Sequence, residues 1–224
     1  VIAIDFPGKL CKRMDQSRPT PTRGTRPAAK AIAALGLVLL LAGCYFPVRF
    51  DAEIEITRAG FYNLTFQGYV ADVQLFDKLA RRDITPAEEA AWVMKVENDI
   101  KRDVNVNDLA YMNRGLFRLG WKRSGDLLKE KMITFLRRNE PMLSVRYVST
   151  TGRITVEGTI IASNRAEQLR AIGLTMDGQL RVRTDGRVAE HNATRTERAG
   201  GMAVYVWDIK GLTGKAPKLI VDLR

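Results

Sequence analysis

The chain has 224 residues, with 36 Lys plus Arg against 25 Asp plus Glu, a net charge of +11, one histidine and two cysteines. Two cysteines and one histidine exclude a disulfide-stapled scaffold and a cysteine–histidine zinc module. The basic residues are spread along the chain rather than gathered in one run, which argues against a nucleic-acid partner.

Arg18, Arg23, Arg26 and Lys30 precede an uncharged run of thirteen residues, Ala31 to Gly43. That run is too short to span a bilayer as a helix and has the length of a signal h-region. Leu41-Ala42-Gly43-Cys44 then has the form of a bacterial lipobox, in which the signal is removed and the new N-terminal cysteine is acylated. The expected organisation is a cleaved signal segment over 1–43 and a single soluble, lipid-anchored domain over 44–224. Met14 opens a more ordinary signal peptide than Val1, so residues 1–13 read either as a mis-assigned start or as a longer n-region. From Cys44 onward 29 Lys plus Arg face 23 Asp plus Glu, and Cys11 is lost with the signal, so no internal disulfide is expected. The first partner is therefore a membrane, reached through a diacylglyceryl cysteine at position 44. Tyr45 is not acidic, which favours the outer membrane facing the periplasm in a two-membrane host. In a single-membrane host the domain would lie on the outer face of the plasma membrane.

Tyr45 to Thr57 alternates, with Phe50, Ala52, Ile54 and Ile56 on one face and Asp51, Glu53 and Glu55 on the other, as a half-buried strand does. Arg58-Ala59-Gly60 reads as a turn into a second strand, Phe61 to Val70. A short helix is expected over Ala71 to Arg81. Thr85-Pro86-Ala87-Glu88 is a capping box with proline at the first helical position. It predicts a helix to about Arg102 with Ala90, Trp92, Val93, Val96 and Ile100 towards the sheet. Val104 to Asn113 has no clear period. Leu116 to Lys122 reads as strand, and Asp126 to Arg138 as a short amphipathic helix built on Leu127, Leu128, Met132, Phe135 and Leu136. Leu143 to Ser149 and Arg153 to Ile161 form a second hairpin, with Ile154, Val156 and Thr159 towards the core. Asn164 and Glu167 would cap a brief helix to Ile172. Gln179 to Thr184 and Arg187 to His191 read as a third hairpin about the Asp185-Gly186 turn. Thr194 to Gly201 reads as a mobile loop, Met202 to Ile209 as a strand, Gly211 to Pro217 as a loop, and Lys218 to Leu223 as the last strand. Strands outnumber helices and no long βαβ alternation occurs, so the expected class is α+β, an antiparallel sheet with helices mainly on one face.

The lipobox Leu41 to Cys44, the hairpin Phe50 to Phe66, the hairpin Leu143 to Gly158, and Ala203 to Trp207 followed by Ala216-Pro217-Lys218-Leu219 together resemble LppM-like bacterial lipoproteins. The resemblance covers most of the mature chain. It implies an envelope location and a small β-rich fold, and it assigns no activity to particular residues.

Signatures of chemistry are few. His191 has neither a cysteine nor a second histidine to build a zinc site or a nucleophile pair. Gly211-Leu212-Thr213-Gly214-Lys215 is too short for a P-loop, and Ala216-Pro217 prevents a helix from opening after it. Asp51, Glu53 and Glu55 stand about 6.6 Å apart per pair of residues along a strand, which suits a solvated face matched by basic neighbours. No enzyme, cofactor or metal is expected. Arg146, Arg153, Arg181, Arg183 and Arg187 fall on outward positions of expected strands; if those strands are neighbours they form an anion-binding patch, and otherwise they pair with Glu157 and Glu190. Tyr205 and Trp207 share one face of a strand whose other face carries Val204 and Val206. Such a strand is either central or lines an apolar groove. The reading is a non-enzymatic, lipid-anchored envelope protein that binds an anionic or amphipathic envelope component, a lipid or a glycan. The alternative is an assembly lipoprotein that acts through protein contacts in a membrane complex.

Overall fold

The alternation of β1 (Tyr45–Ile56) makes it two-faced, and both faces are used in the computed structural model, which describes residues 45–135 and 142–223. The signal segment, Cys44 and Leu136 to Arg138 of the expected helix lie outside the described residues. β1 turns at Gly60 into β2 (Phe61–Asp72), and the two pair antiparallel from Tyr45 opposite Asp72 to Ile56 opposite Tyr62. Asp72 then ends the strand and caps α1 (Val73–Arg81), its Oδ1 accepting from the Leu75 amide at 2.8 Å. α2 (Pro86–Ile100) starts at the expected capping box, with the Thr85 and Glu88 side chains each accepting from the other's backbone.

The remaining strands are β3 (Val106–Tyr111), β4 (Leu116–Asp126), β5 (Met132–Phe135), β6 (Leu143–Val148), β7 (Arg153–Gly158), β8 (Asp177–Thr184), β9 (Arg187–His191), β10 (Arg195–Ala199), β11 (Met202–Lys210) and β12 (Lys218–Asp222). The helix α3 (Leu127–Glu130) precedes β5, and α4 (Ser163–Ala171) follows β7. They build two sheets, β10-β11-β8-β1-β2-β4-β3 and β5-β6-β7-β12-β9. Among the described residues only β1 and β8 pair in parallel. The fold class is α+β, as the sequence predicts.

One face of the seven-stranded sheet buries the main core. Ile54, Leu64, Phe66, Leu119, Trp121 and Val182 meet Leu75, Val96 and Ile100 of the helices and Val145, Val156 and Val221 of the second sheet. Phe135 of β5 stacks on Phe66 with ring centres 4.3 Å apart and meets the Trp121 edge at 5.4 Å, closing one sheet on the other. A smaller core around Phe46, Ala71, Leu169, Leu174 and Leu212 seats α4. Tyr111 donates to Glu89 and ties α2 to β3; burial, then that carboxylate, pushes the Tyr111 hydroxyl up to about 12. Among the described residues no helix is long and apolar enough to cross a membrane.

Seven expectations are corrected. Val104 to Asn113 contains β3, whose period is broken where Val106 pairs with Trp121 but Asp108 with Gly120, leaving Asn107 as the extra residue of a bulge. The helix expected over Asp126 to Arg138 stops at Glu130. Lys131 takes φ +65°, and Ile133 and Phe135 are then buried on alternate residues of a strand. The third hairpin does not exist, because β1 and β11 already occupy both edges of β8 and β9 crosses to pair with β12 in the other sheet. The Asp185-Gly186 turn is the crossover: a Cβ on Gly186 would lie 2.5 Å from Val221, and Asp185 Oδ1 accepts from the Arg58 amide at 2.6 Å. Thr194 to Gly201 is largely strand β10 at the sheet edge rather than a loop. Asn164 lies inside α4 and does not cap it, while Ala90 and Thr159 face solvent.

Candidate functional site

Residues of both sheets and of the loop 211–217 line an open cavity of about 380 Å³. Its floor is the inner face of the seven-stranded sheet, Phe50 and Ala52 of β1, Phe66 of β2, Leu180 of β8 and Trp207 of β11. Phe135, Leu143 and Gly158 supply the wall from the second sheet, and Met142, Ile161 and Met176 complete it. Strand alternation explains the lining: each of these β1 and β8 residues occupies the inward half of a period-2 pattern. Phe50 and Phe66 stack at 5.6 Å, so one side of the cavity is a continuous aromatic surface.

The mouth is polar and is formed by the end of β11 and the loop 211–217, which follows it. Asn192 holds this rim together. Its Oδ1 accepts from the Trp207 indole and from the Lys218 amide, both at 2.8 Å, and its Nδ2 donates to the Ala216 carbonyl at 2.8 Å. Asp208 is bonded by Arg195 and by Gln179, the latter at 2.9 Å. Lys215 stands exposed at the same rim, and Lys210 is exposed at the end of β11 on the outward parity of Val206 and Asp208; neither forms an ion pair among the described residues. In the loop, Leu212 turns inward and is 4% exposed, anchoring the segment in the smaller core.

Trp207, singled out from the sequence, lines the cavity. Tyr205, two residues back, does not; it packs against the His191 ring at 4.7 Å, in the contact between β11 and β9. His191 thus has a packing role, and its Nδ1 accepts from the Ala193 amide at 3.2 Å. The opposite face of β11 is covered without a partner. Val206 lies between Arg195 and Arg181 and Val204 between Glu197 and Arg183 on neighbouring strands, so aliphatic side-chain stems flank both valines and leave them 1% and 5% exposed.

The five arginines do not meet. Arg181 and Arg183 lie on the outer face of β8 against β1, with Arg181 2.9 Å from Asp51 and 3.1 Å from Glu53, and Arg183 3.4 Å from Glu53 and 3.8 Å from Glu55. Arg153 and Arg187 lie in the other sheet and share Asp222, at 2.7 and 3.9 Å. Arg146 is exposed on β6 opposite Thr155. The acidic stripe of β1 and the arginines of β8 therefore neutralise each other, and Glu190 pairs with Lys218 at 2.7 Å rather than with an arginine. Among the described residues no group of three or more His, Cys, Asp or Glu is placed to hold a metal ion. The residues that build the cavity, Phe50, Phe66, Phe135, Met142, Met176 and Leu180, carry no sequence signal beyond that of core positions, because a cavity wall and a packed core have the same period.

No family model matches the chain, and no curated protein sequence matches it. Among solved structures, the folded domain of LppM from Mycobacterium tuberculosis, determined by NMR, is similar over 80% of this chain and 91% of that chain, at 11% identity and a TM-score of 0.37.

Proposed function

We propose that the mature chain is a lipid-anchored, non-catalytic protein of the cell envelope that holds an amphipathic envelope molecule between its two sheets. The observation that carries this is the cavity of about 380 Å³ lined by aromatic and aliphatic side chains, within the usual size of small-molecule sites, about 300 to 1,000 Å³. The anchor rests on the lipobox at Cys44. Pro47 lines the cavity only three residues after Cys44, and an extended chain spans at most about 3.6 Å per residue. An acylated Cys44 would thus hold the cavity within about 11 Å of the anchor point, where a membrane amphiphile can enter without crossing bulk water. With Tyr45 following Cys44, the location would be the periplasmic face of the outer membrane, or the outer face of the plasma membrane in a single-membrane host.

The test is the full chain purified from its own membranes into a non-ionic amphipol and released in a native mass spectrometer. A non-covalent adduct of lipid mass, present beyond the covalent anchor, is the expected result. Protein that carries no adduct and binds no added amphiphile overturns the reading. Co-migration of such ligand-free protein with a membrane complex would establish the assembly role instead.

A further inference from the structure

We infer that the end of the seven-stranded sheet at which the chain enters from Cys44 is a docking surface for the anionic headgroups of the bilayer that carries the anchor; this rests on the lipobox reading above. The strand registers define that end. Tyr45 lies opposite Asp72, Ala71 opposite Leu116, and Arg49 opposite Asp177, which itself lies opposite Lys210. The segments 112–115, 172–176 and 211–217 therefore all adjoin the sheet where β1 begins, one residue after Cys44. The smaller core seats α4 at the same end, since Ala166 and Leu169 pack with Phe46, Leu174 and Leu212.

This end carries Arg49, Arg114, Arg165, Arg170, Lys210 and Lys215, and none of them forms an ion pair among the described residues. Arg170 donates to the neutral Thr213 hydroxyl at 3.3 Å. Against these cations stand Glu167, Asp177 and Glu89, the last accepting from Tyr111. At the opposite end the cations are committed within the fold. Arg123 pairs with Glu130 at 2.6 Å, Lys129 with Asp126 at 3.7 Å, and the Arg58 guanidinium donates to the Asp185 carbonyl at 2.9 Å. The uncommitted charges do not converge on one point: Arg49 and Lys210 lie on the outward parity of their strands, whereas Lys215 stands at the cavity mouth. Such a distribution suits an extended array of lipid phosphates, which requires only that the cations lie within about a Debye length, roughly 8 to 10 Å, of its plane. Two exposed apolar side chains border the same end. Met112 opens the 112–115 loop at 41% exposure. Ile160, 76% exposed, lies between Gly158, whose amide donates to the Pro217 carbonyl at 2.9 Å, and Ile161 of the smaller core. A bilayer interface accommodates apolar side chains set among basic ones. Docking by this end places the cavity mouth at the loop 211–217 against the headgroups.

The experiment uses the full chain, purified from its own membranes and reconstituted into vesicles of phosphatidylcholine, alone or with phosphatidylglycerol as a third of the lipid. Acylation consumes the Cys44 thiol, so Thr175→Cys at the basic end and Ala59→Cys at the opposite end, both exposed positions, each take one fluorophore. Spin-labelled lipid headgroups quench whichever fluorophore lies against the surface. The eight residues of β8 keep the two positions more than about 23 Å apart at roughly 3.3 Å per residue, so the quencher distinguishes them. In the phosphatidylglycerol vesicles Thr175 should be quenched and Ala59 not, and the Thr175 signal should fall in neutral vesicles and in high salt. Each basic group near an anionic surface shifts the docking equilibrium by roughly fivefold. Arg114→Gln, Lys210→Gln and Lys215→Gln together should therefore lower it by about a hundredfold and bring Thr175 quenching to its neutral-vesicle level; all three positions are exposed, and an unchanged circular dichroism spectrum checks the fold. Thr175 quenching that is equal in both vesicles, or that survives the triple substitution, overturns the inference, as does quenching at Ala59. Quenching at neither position overturns it in favour of a protein partner. Flotation of the unlabelled chain reads the anchor separately. A chain that floats with the phosphatidylglycerol vesicles but not with the neutral ones overturns the lipobox reading and leaves the docking end standing; a chain that floats with neither overturns both.

Discussion

Filling the cavity from one wall should stabilise the empty protein and weaken its ligand, a combination that ordinary core enlargement does not produce. Ala52 lies between Phe66 of β2 and Leu180 of β8 and faces the cavity. Ala52→Leu adds three carbons, about 90 Å³ at roughly 30 Å³ each, or about a quarter of the space. Burying three methylene equivalents at about 0.8 kcal/mol each gives a ceiling near 2.4 kcal/mol. Loss of about 0.5 to 1 kcal/mol of leucine rotamer freedom reduces it to about 1.5 kcal/mol. For a domain of this size that corresponds to a rise of about 3 to 6 °C in Tm. The control is Ala71→Leu, at a fully buried alanine of the smaller core that does not line the cavity; it should cost about 1 to 3 kcal/mol by overpacking. Thermal unfolding of delipidated full chain by near-ultraviolet circular dichroism reads both variants, and quenching of tryptophan fluorescence by bromododecanoate reads the ligand. If Ala52→Leu destabilises the ligand-free protein as much as Ala71→Leu does, the space is not there and the functional reading loses its foundation.

Three further outcomes are expected. Cys44→Ala should abolish metabolic labelling by a lipid precursor and leave an uncleaved chain of lower gel mobility; unchanged labelling and mobility would refute the lipobox. Burial holds the Asp72 carboxyl above the ordinary Asp range despite its bond from the Leu75 amide. Its favourable contribution is therefore complete below the unfolded pKa of about 3.9 and is lost as pH rises through the folded value. Asp72→Asn keeps an acceptor for that amide, so at pH 7 it should unfold no lower than the parent, with the difference shrinking towards about pH 4. Asp72→Ala removes the cap and should cost about 1 kcal/mol. A parent chain that is more stable than Asp72→Asn at pH 7 would reverse this sign. Glu53→Gln removes the carboxylate shared by Arg181 and Arg183, but the groups are about one-third exposed and Asp51 and Glu55 remain, so the loss should stay below about 1 kcal/mol and shrink with salt. A larger, salt-independent loss in denaturant titrations would show that the ladder is a structural keystone.

Local chemistry was legible wherever a feature depended on residues close together in the chain. The lipobox reading, the β1 alternation, the Arg58-Ala59-Gly60 turn and the Thr85 to Glu88 capping box are all of this kind, and the described ones stand in the structure. Period alone set the inward faces of β1 and of Ile154 and Val156 in β7, because one buried face and one wet face leave a register no freedom. Partner choice was a different matter. An Asp-Gly turn is a strong hairpin signal, but β8 already had β1 and β11 on its two edges, so β9 was left to complete the second sheet. The same long-range competition turned Met132 to Phe135 from helix into strand, since Phe135 gains the stacked Phe66 and the Trp121 edge only in extended form.

The arginine patch divided for the same reason: Arg181 and Arg153 lie outward in their own strands, but those strands belong to different sheets. The sequence by itself therefore determined the secondary-structure faces, the fold class and the expectation of a lipid anchor. Only the tertiary structure decided which edges meet, and with them that Phe50, Leu180 and Trp207 surround a space rather than each other. Side-chain period records which way a residue points; whether the opposite sheet stands close enough to fill the gap is a property of strand pairing across the whole chain.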